Sequence, residues 1–317
     1  MKAKDKGEKA VAFIQVDLDG LWAVRRCYGG RGTPEEDDPV YSHALPVLLD
    51  LLDRLQIKAT FFVVGVDVQV AWKCRLLAEV IERGHELANH SMTHNFQLGQ
   101  LDAEPLESEV VGCQKVLQSA LGIEARGFRA PGYGFSARLL DTLSRLGTWY
   151  DSSLFPTPWG WVMRWATRRI STRERRDGPP YGPVTLWRSP LYPHYAQSKI
   201  QNPKSRIWEI PVSATRWMRL PFHGSIGFLL GRRWVKRAVR SLQRHIGFLN
   251  YVIHGMDFVD GKVWPVVPNA GARWFFAGDA RDRLDFFTAI FAEVSQRFEI
   301  RRTDHWVSQA QRDDEKG

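Results

Sequence analysis

The chain reads as an α/β protein built on a mostly parallel sheet, and three observations carry that reading. Short β-branched or aromatic runs alternate with segments whose leucines recur at helical spacing, the pattern of consecutive βα units. Glycines punctuate this alternation, at Gly65, Gly84, Gly122 and Gly147. The 317 residues are 44% hydrophobic and 25% charged, which suits a folded chain with a sizeable core.

Taken in order, Ala10–Val16 is a buried strand that runs into Asp17-Leu-Asp-Gly20. A polar loop with Gly29-Gly30 and the acidic run Glu35–Asp38 follows, then a helix carrying Leu45, Leu48, Leu49 and Leu52. Ala59–Gly65 is a second strand, and Leu76, Leu77, Val80 and Ile81 mark a helix stopped at Gly84. After the segment His85–His94, a helix with Leu106, Val110, Cys113 and Leu117 ends before Gly122. Ala125–Arg129 is a short strand leading to Pro131-Gly132, and Ser136 caps a helix bearing Leu139, Leu140 and Leu143. Near the end come the strand Leu249–Ile253, an amphipathic helix with Leu284, Phe287, Phe291 and Val294, and the strand Phe298–Arg302. Residues from about 151 to 207, rich in Trp, Pro and Arg, break the rhythm and read as an insertion in a single catalytic domain spanning 1–317.

Three cysteines with no paired spacing argue against a disulfide framework. The charged N-terminus lacks a secretory apolar stretch, and no run is long enough to span a bilayer. The expected location is therefore cytoplasmic. A net charge of +9 fits an anionic partner without choosing one.

Four clusters carry chemistry: Asp17-Leu-Asp19, His90-Ser-Met-Thr-His94, Arg129-Ala-Pro-Gly-Tyr133 and Ile253-His254. Each lies at a strand end or in a strand-to-helix connection, and in a parallel barrel those connections converge on one face. Two histidines four apart plus one carboxylate make a three-ligand metal site with positions left for water and substrate. A second carboxylate can take a proton from that water, and a further histidine can protonate a leaving nitrogen.

On these clusters the chain resembles the NodB-type polysaccharide deacetylases, carbohydrate esterase family 4. Ala59-Thr-Phe-Phe-Val, Gly84-His-Glu-Leu-Ala-Asn-His90 and Tyr150-Asp-Ser-Ser153 add to the likeness, which covers roughly residues 10–155 and 245–305. The resemblance implies a distorted (β/α) barrel of the NodB type with an irregular Trp/Arg-rich insertion. It implies a divalent metal, zinc or else cobalt, manganese or nickel, held by Asp19, His90 and His94. It implies Asp17 as general base, Arg129 as its orienting partner, His254 as general acid, and the backbone near Gly132 and Tyr133 as the oxyanion and substrate contact. His85 and Glu86 read as local scaffolding.

Two departures stand out. Most of the family has adjacent aspartates, so a strict frame match puts Leu18 at the base position. The Asp-x-Asp spacing instead resembles a branch that includes deformylases acting on aminoarabinose linked to a polyprenyl phosphate. The family's Asp that tunes the catalytic histidine has no clear match, and Asp257 is either its substitute or scaffold.

Pro158–Arg176 carries Trp159, Trp161 and Trp165 among Arg164, Arg168, Arg169, Arg173, Arg175 and Arg176, with Glu174 its only acid. Ile210–Met256 holds no acid at all but eight Lys and Arg interleaved with Trp217, Leu229, Leu230 and Trp234. Such segments suit an anionic membrane surface, or are ordinary basic faces over a packed core. Nucleic acid is disfavoured, since no recognisable binding motif accompanies the charge. The reading that joins these halves is a metal-dependent N-deacylase (deacetylase or deformylase) for an amino sugar on a polyprenyl phosphate, peripheral on the inner membrane face. Its alternatives are a soluble chitooligosaccharide or ureide amidohydrolase, and a non-catalytic carbohydrate- or lipid-binding relative.

Overall fold

The computed structural model describes residues 9–28, 30–167, 182, 184–196, 206–260 and 279–316. The insertion's Arg168, Arg169, Arg173, Glu174, Arg175 and Arg176 lie outside them, as does the charged N-terminal segment.

Among the described residues nine strands form one curled mixed sheet: β1 (Val11–Leu18), β2 (Thr60–Val63), β3 (Glu86–Asn89), β4 (Gly127–Phe128), β5 (Tyr150–Asp151), β6 (His194–Tyr195), β7 (Trp208–Glu209), β8 (Phe248–His254) and β9 (Glu299–Ile300). Their spatial order is β6-β7-β5-β4-β3-β2-β1-β8, with β9 beside the start of β1. Every pairing is parallel except β6 with β7. Beyond β7 the chain swings toward the opposite edge, where Ser213 N–H donates to Asn250 O at 3.3 Å and His223 bridges Val252. The result is a half-barrel of the NodB type with helices around it, the α/β architecture expected.

Strand alternation sorts β1 onto two faces. Ile14, Val16 and Leu18 point outward into the main core, against Leu45, Leu48 and Leu52 of helix Leu45–Arg54 and Phe287 and Phe291 of helix Ala280–Arg297. Phe13 points inward, where it joins Phe62, Ala88, Tyr150, Phe248 and Val307 in an aromatic plug. Helix Thr303–Lys316 delivers Val307 and closes that end.

The helices end where the sequence places their stops. Helix Ala103–Leu121 terminates on Gly122 at φ 69°, a left-handed cap that glycine adopts without a Cβ clash. Ser136 Oγ accepts the Leu139 N–H at 3.1 Å and starts helix Ala137–Arg145. Several elements escape the sequence reading: β3 within His85–His94, the two-residue strands β5 to β7, and helices Leu21–Cys27, Arg232–His245 and Thr303–Lys316. A two-residue strand has no period to detect.

Candidate active site

The inward face of β1 reads Phe13, Gln15, Asp17 and, just past the strand, Asp19, each one step nearer the barrel mouth. This alternation explains the Asp-x-Asp spacing. Two residues apart, both carboxylates face the interior, while Leu18 between them is fully buried in the outer core and cannot be the base. Parallel register then brings the partners alongside: Asp17 lies opposite His254 across β1 and β8, and Asn89 opposite Phe128 sets His90 beside Arg129.

Asp19, His90 and His94 converge. Asp19 Oδ1 lies 3.3 Å from His90 Nε2 and 3.2 Å from His94 Nε2, and one ligand atom from each residue falls within 4.8 Å of the others. Asp19 Oδ1 is buried and has no hydrogen-bond partner. One carboxylate oxygen and two imidazole nitrogens at such spacing fit a divalent cation of the zinc type. His90 Nδ1 lies 2.8 Å from the Arg129 carbonyl oxygen. Donation of its proton there leaves the Nε2 lone pair facing Asp19, the orientation a ligand needs. Burial opposes ionisation of Asp19, but His94 and His90 outweigh it and hold the carboxyl well below the ordinary range. Burial likewise disfavours charge on His90, and Asp19 overrides it and raises that histidine.

The ligand loop is held by its own side chains. Asn89 Oδ1 accepts the Ser91 N–H at 2.9 Å, and Ser91 Oγ accepts the His94 N–H at 3.1 Å. These bonds support two non-glycine residues in the left-handed region, Ser91 at φ 66° and His94 at φ 54°. The turn after Asp19 is anchored from behind. Asp38 accepts the Leu21 N–H at 3.0 Å, and buried Lys73 bonds both Asp38 (2.8 Å) and Asp67 (2.6 Å). Burial, opposed by Lys73, raises Asp67 to about 6. The acidic run read as polar loop thus ends in a buried anchor.

Arg129 is fully buried and organises the next layer. It pairs with Asp17 Oδ1 at 2.6 Å, donates to Ser152 O at 2.9 Å and Ser152 Oγ at 2.8 Å, and bonds Gln15. Its guanidinium carbon sits 4.2 Å from the Phe62 ring centre. On the other side of Asp17, Oδ2 faces the Tyr133 hydroxyl at 3.5 Å and His254 Nε2 at 3.7 Å. The carboxylate is therefore fixed on one oxygen and turned toward the cleft groups with the other.

All eight sequence-derived residues lie in this cluster. The Tyr133 backbone N–H donates to Ala130 O at 3.0 Å, so what Tyr133 presents to Asp17 is its phenol. Gly132, at φ 59°, makes the tight turn that allows this. The Asp257 carboxylate turns to the backbone of His254: its Oδ2 accepts the His254 N–H at 2.9 Å, while the His254 ring accepts from the Asp257 backbone N–H. Of the two readings of Asp257, the geometry is that of scaffold. His223, which no sequence motif marks, is buried with its ring 6.5 Å from that of His254 and with Nδ1 lacking a hydrogen-bond partner. Burial, and the neighbouring His254, depress it to about 3. A lone histidine after Pro-Phe carries no motif, and only tertiary contact reveals it.

Residues 36–150 match the family model described as Polysaccharide deacetylase. A chitooligosaccharide deacetylase of Bradyrhizobium sp. (strain ANU 289) is 34% identical over 133 residues, which cover 40% of this chain and 59% of the relative. A peptidoglycan-N-acetylglucosamine deacetylase of Bacillus cereus is 32% identical over 124 residues, covering 39% of this chain and 52% of the relative. The chain thus spans between half and three-fifths of the length of these curated relatives. Among solved structures, a candidate polysaccharide deacetylase from Mycobacterium smegmatis superposes with TM-score 0.52 at 18% identity, over 94% of this chain and 95% of that one, which is a likeness of fold. The family model and the two relatives support the NodB-type polysaccharide deacetylase family.

Proposed function

We propose that this chain is a metal-dependent N-deacylase that removes an acetyl or formyl group from an amino sugar. The observation that carries the proposal is the meeting of a three-ligand cluster, an Arg-held carboxylate and a histidine at one barrel mouth. The names of the two relatives support an N-acylated amino sugar as the substrate class.

Asp19, His90 and His94 would hold the cation, which when bound polarises the amide carbonyl and acidifies water. Asp17 takes the proton from the attacking water, with Arg129 holding and aiming it. The backbone at Gly132 meets the developing oxyanion. His254 Nε2, 3.7 Å from Asp17 Oδ2, gives a proton to the leaving nitrogen, and the proton that Asp17 took from water restores it. The products are the free amine and acetate or formate.

The finer substrate reading is an amino sugar carried on a polyprenyl phosphate at the cytoplasmic membrane face. It is supported by the Asp17-Leu-Asp19 spacing and by the basic, Trp-rich segments. None of the helices searched among the described residues is long and apolar enough to cross a membrane, so attachment by this part of the chain would be peripheral.

The test is metal analysis of the purified protein beside His90→Ala. About one divalent ion per chain, lost in the variant, is the expected result. A wild-type protein that takes up neither zinc nor cobalt would sink the hydrolase reading and favour a binding protein.

A further inference from the structure

Ten large hydrophobic side chains are exposed among the described residues, and eight of them lie between Trp161 and Leu230. Six come from three segments that the fold ties together. Helix Gly160–Thr167 exposes Trp161 (57%) and Trp165 (72%), four residues apart and so on one face. The turn 214–221, closed by the Ala214–Pro221 bridge, exposes Trp217 (81%) and Met218 (58%) at its tip. The stretch 184–192 adds Trp187 and Tyr192. Trp159 Nε1 donates to Met218 O at 2.7 Å, Thr157 Oγ1 to Arg219 O at 2.7 Å, and the Arg219 guanidinium to Ser189 O at 2.7 Å.

The charge on this face has one sign. Residues 152–167, 184–192 and 210–256 contain no Asp or Glu up to Met256, while Arg216 lies 4.7 Å from the Trp217 ring and Arg188 5.3 Å from that of Trp187. The neighbouring basic helix Arg232–His245 is a different case. Its apolar residues Val235, Ala238, Val239 and Leu242 are buried in the core, and Lys236 and Arg240 reach Glu293. That helix is an ordinary solvated face, so the stretch Ile210–Met256 divides into a turn that joins the exposed face and a helix that packs.

The exposed face also backs onto the active site. Met163, on the same helix as Trp161 and Trp165, packs against the cluster of Tyr133, Phe155, Val212 and Val252, and the Tyr133 hydroxyl faces Asp17. We propose that this face is the docking surface for a bilayer with anionic headgroups. Trp161, Trp165, Trp217 and Met218 enter the interface, and Arg188 and Arg216 meet the headgroups. The substrate's sugar would then be presented beside the barrel mouth while its lipid stays in the membrane. The inference rests on the lipid-linked reading above and supplies its partner surface.

The test is co-sedimentation of the full chain with vesicles of pure phosphatidylcholine and of phosphatidylcholine with 30 mol% phosphatidylglycerol, with metal content measured on the same samples. Wild type is expected to partition at least tenfold more strongly onto the anionic vesicles. The combined variant Trp161→Ala/Trp165→Ala/Trp217→Ala is expected to lose that binding with unchanged far-ultraviolet circular dichroism. No vesicle binding by wild type, binding unchanged in the variant, or a wild-type dimer that the variant abolishes would each overturn the proposal. Metal uptake without vesicle binding defeats the docking surface alone, and vesicle binding without metal defeats the hydrolase reading alone.

Discussion

Glu86 lies three residues before the ligand loop, on the inward face of β3, and should behave as a neutral acid. It is buried, its Oε1 accepts the Tyr150 hydroxyl at 2.8 Å, and its Oε2 meets Thr60 Oγ1 at 2.6 Å and the Asp304 N–H at 3.2 Å. Burial first, and then the Asp304 charge, push it from 4.5 up to about 8. Between those values the folded chain keeps a proton that the unfolded chain releases, so stability falls as pH rises through the window. At about 1.4 kcal/mol for each pH unit, the full displacement removes about 5 kcal/mol by pH 8. That is comparable with the whole stability of many domains, about 5–15 kcal/mol. Glu86→Gln keeps the shape and cannot ionise; its amide can donate to the Tyr150 oxygen while its carbonyl accepts from Asp304 and Thr60. Urea unfolding of both proteins at half-unit steps from pH 5 to 9 is the assay. The two should be within about 1 kcal/mol at pH 5, and the variant's advantage should then grow by about 1.4 kcal/mol per pH unit up to about pH 8. Other titrating groups are common to both proteins and cancel in the difference. A difference that stays constant across the range would refute the reasoning.

Arg129→Lys is expected to lower kcat by roughly 10²–10⁴-fold with little change in KM or metal content, since lysine cannot make the guanidinium's contacts to Asp17, Ser152 and Gln15 together. Steady-state kinetics on an N-acetylated chitooligosaccharide, with metal analysis, would check it. Gly127→Ala is expected to destabilise the fold by about 1–3 kcal/mol or more, read by the same urea titration. Its Cβ would sit 2.0 Å from the ring of Tyr150, which is fully buried and holds Glu86 and so has no room to step aside.

Much of the site was legible because its chemistry is tied to strand ends. A strand's alternation places Asp17 and Asp19 on one face, and the parallel topology implied by alternating βα units gathers strand termini at one mouth. The register question at Leu18 is answerable from that same alternation, since a residue between two inward carboxylates must point into the outer core. The layer behind the carboxylates was not legible. Gln15, Ser152 and Asn250 join around Arg129 by bonds of 3.0 and 3.2 Å across more than 90 positions of sequence; Gln15 and Asn250 belong to no motif, and the Tyr150–Ser153 likeness does not say what Ser152 touches. The same holds for Lys73 with Asp38 and Asp67, and for His223 beside His254.

The sequence by itself determined which residue types reach the mouth of the barrel, because local periodicity and punctuation set which face of each strand they occupy. The tertiary structure alone decided what each of them touches there. It committed the Tyr133 N–H to Ala130, turned Asp257 toward the backbone of His254, and divided the basic Trp-bearing stretches into one packed helix and one exposed face. Those outcomes depend on contacts between residues distant along the chain, and no local period encodes them.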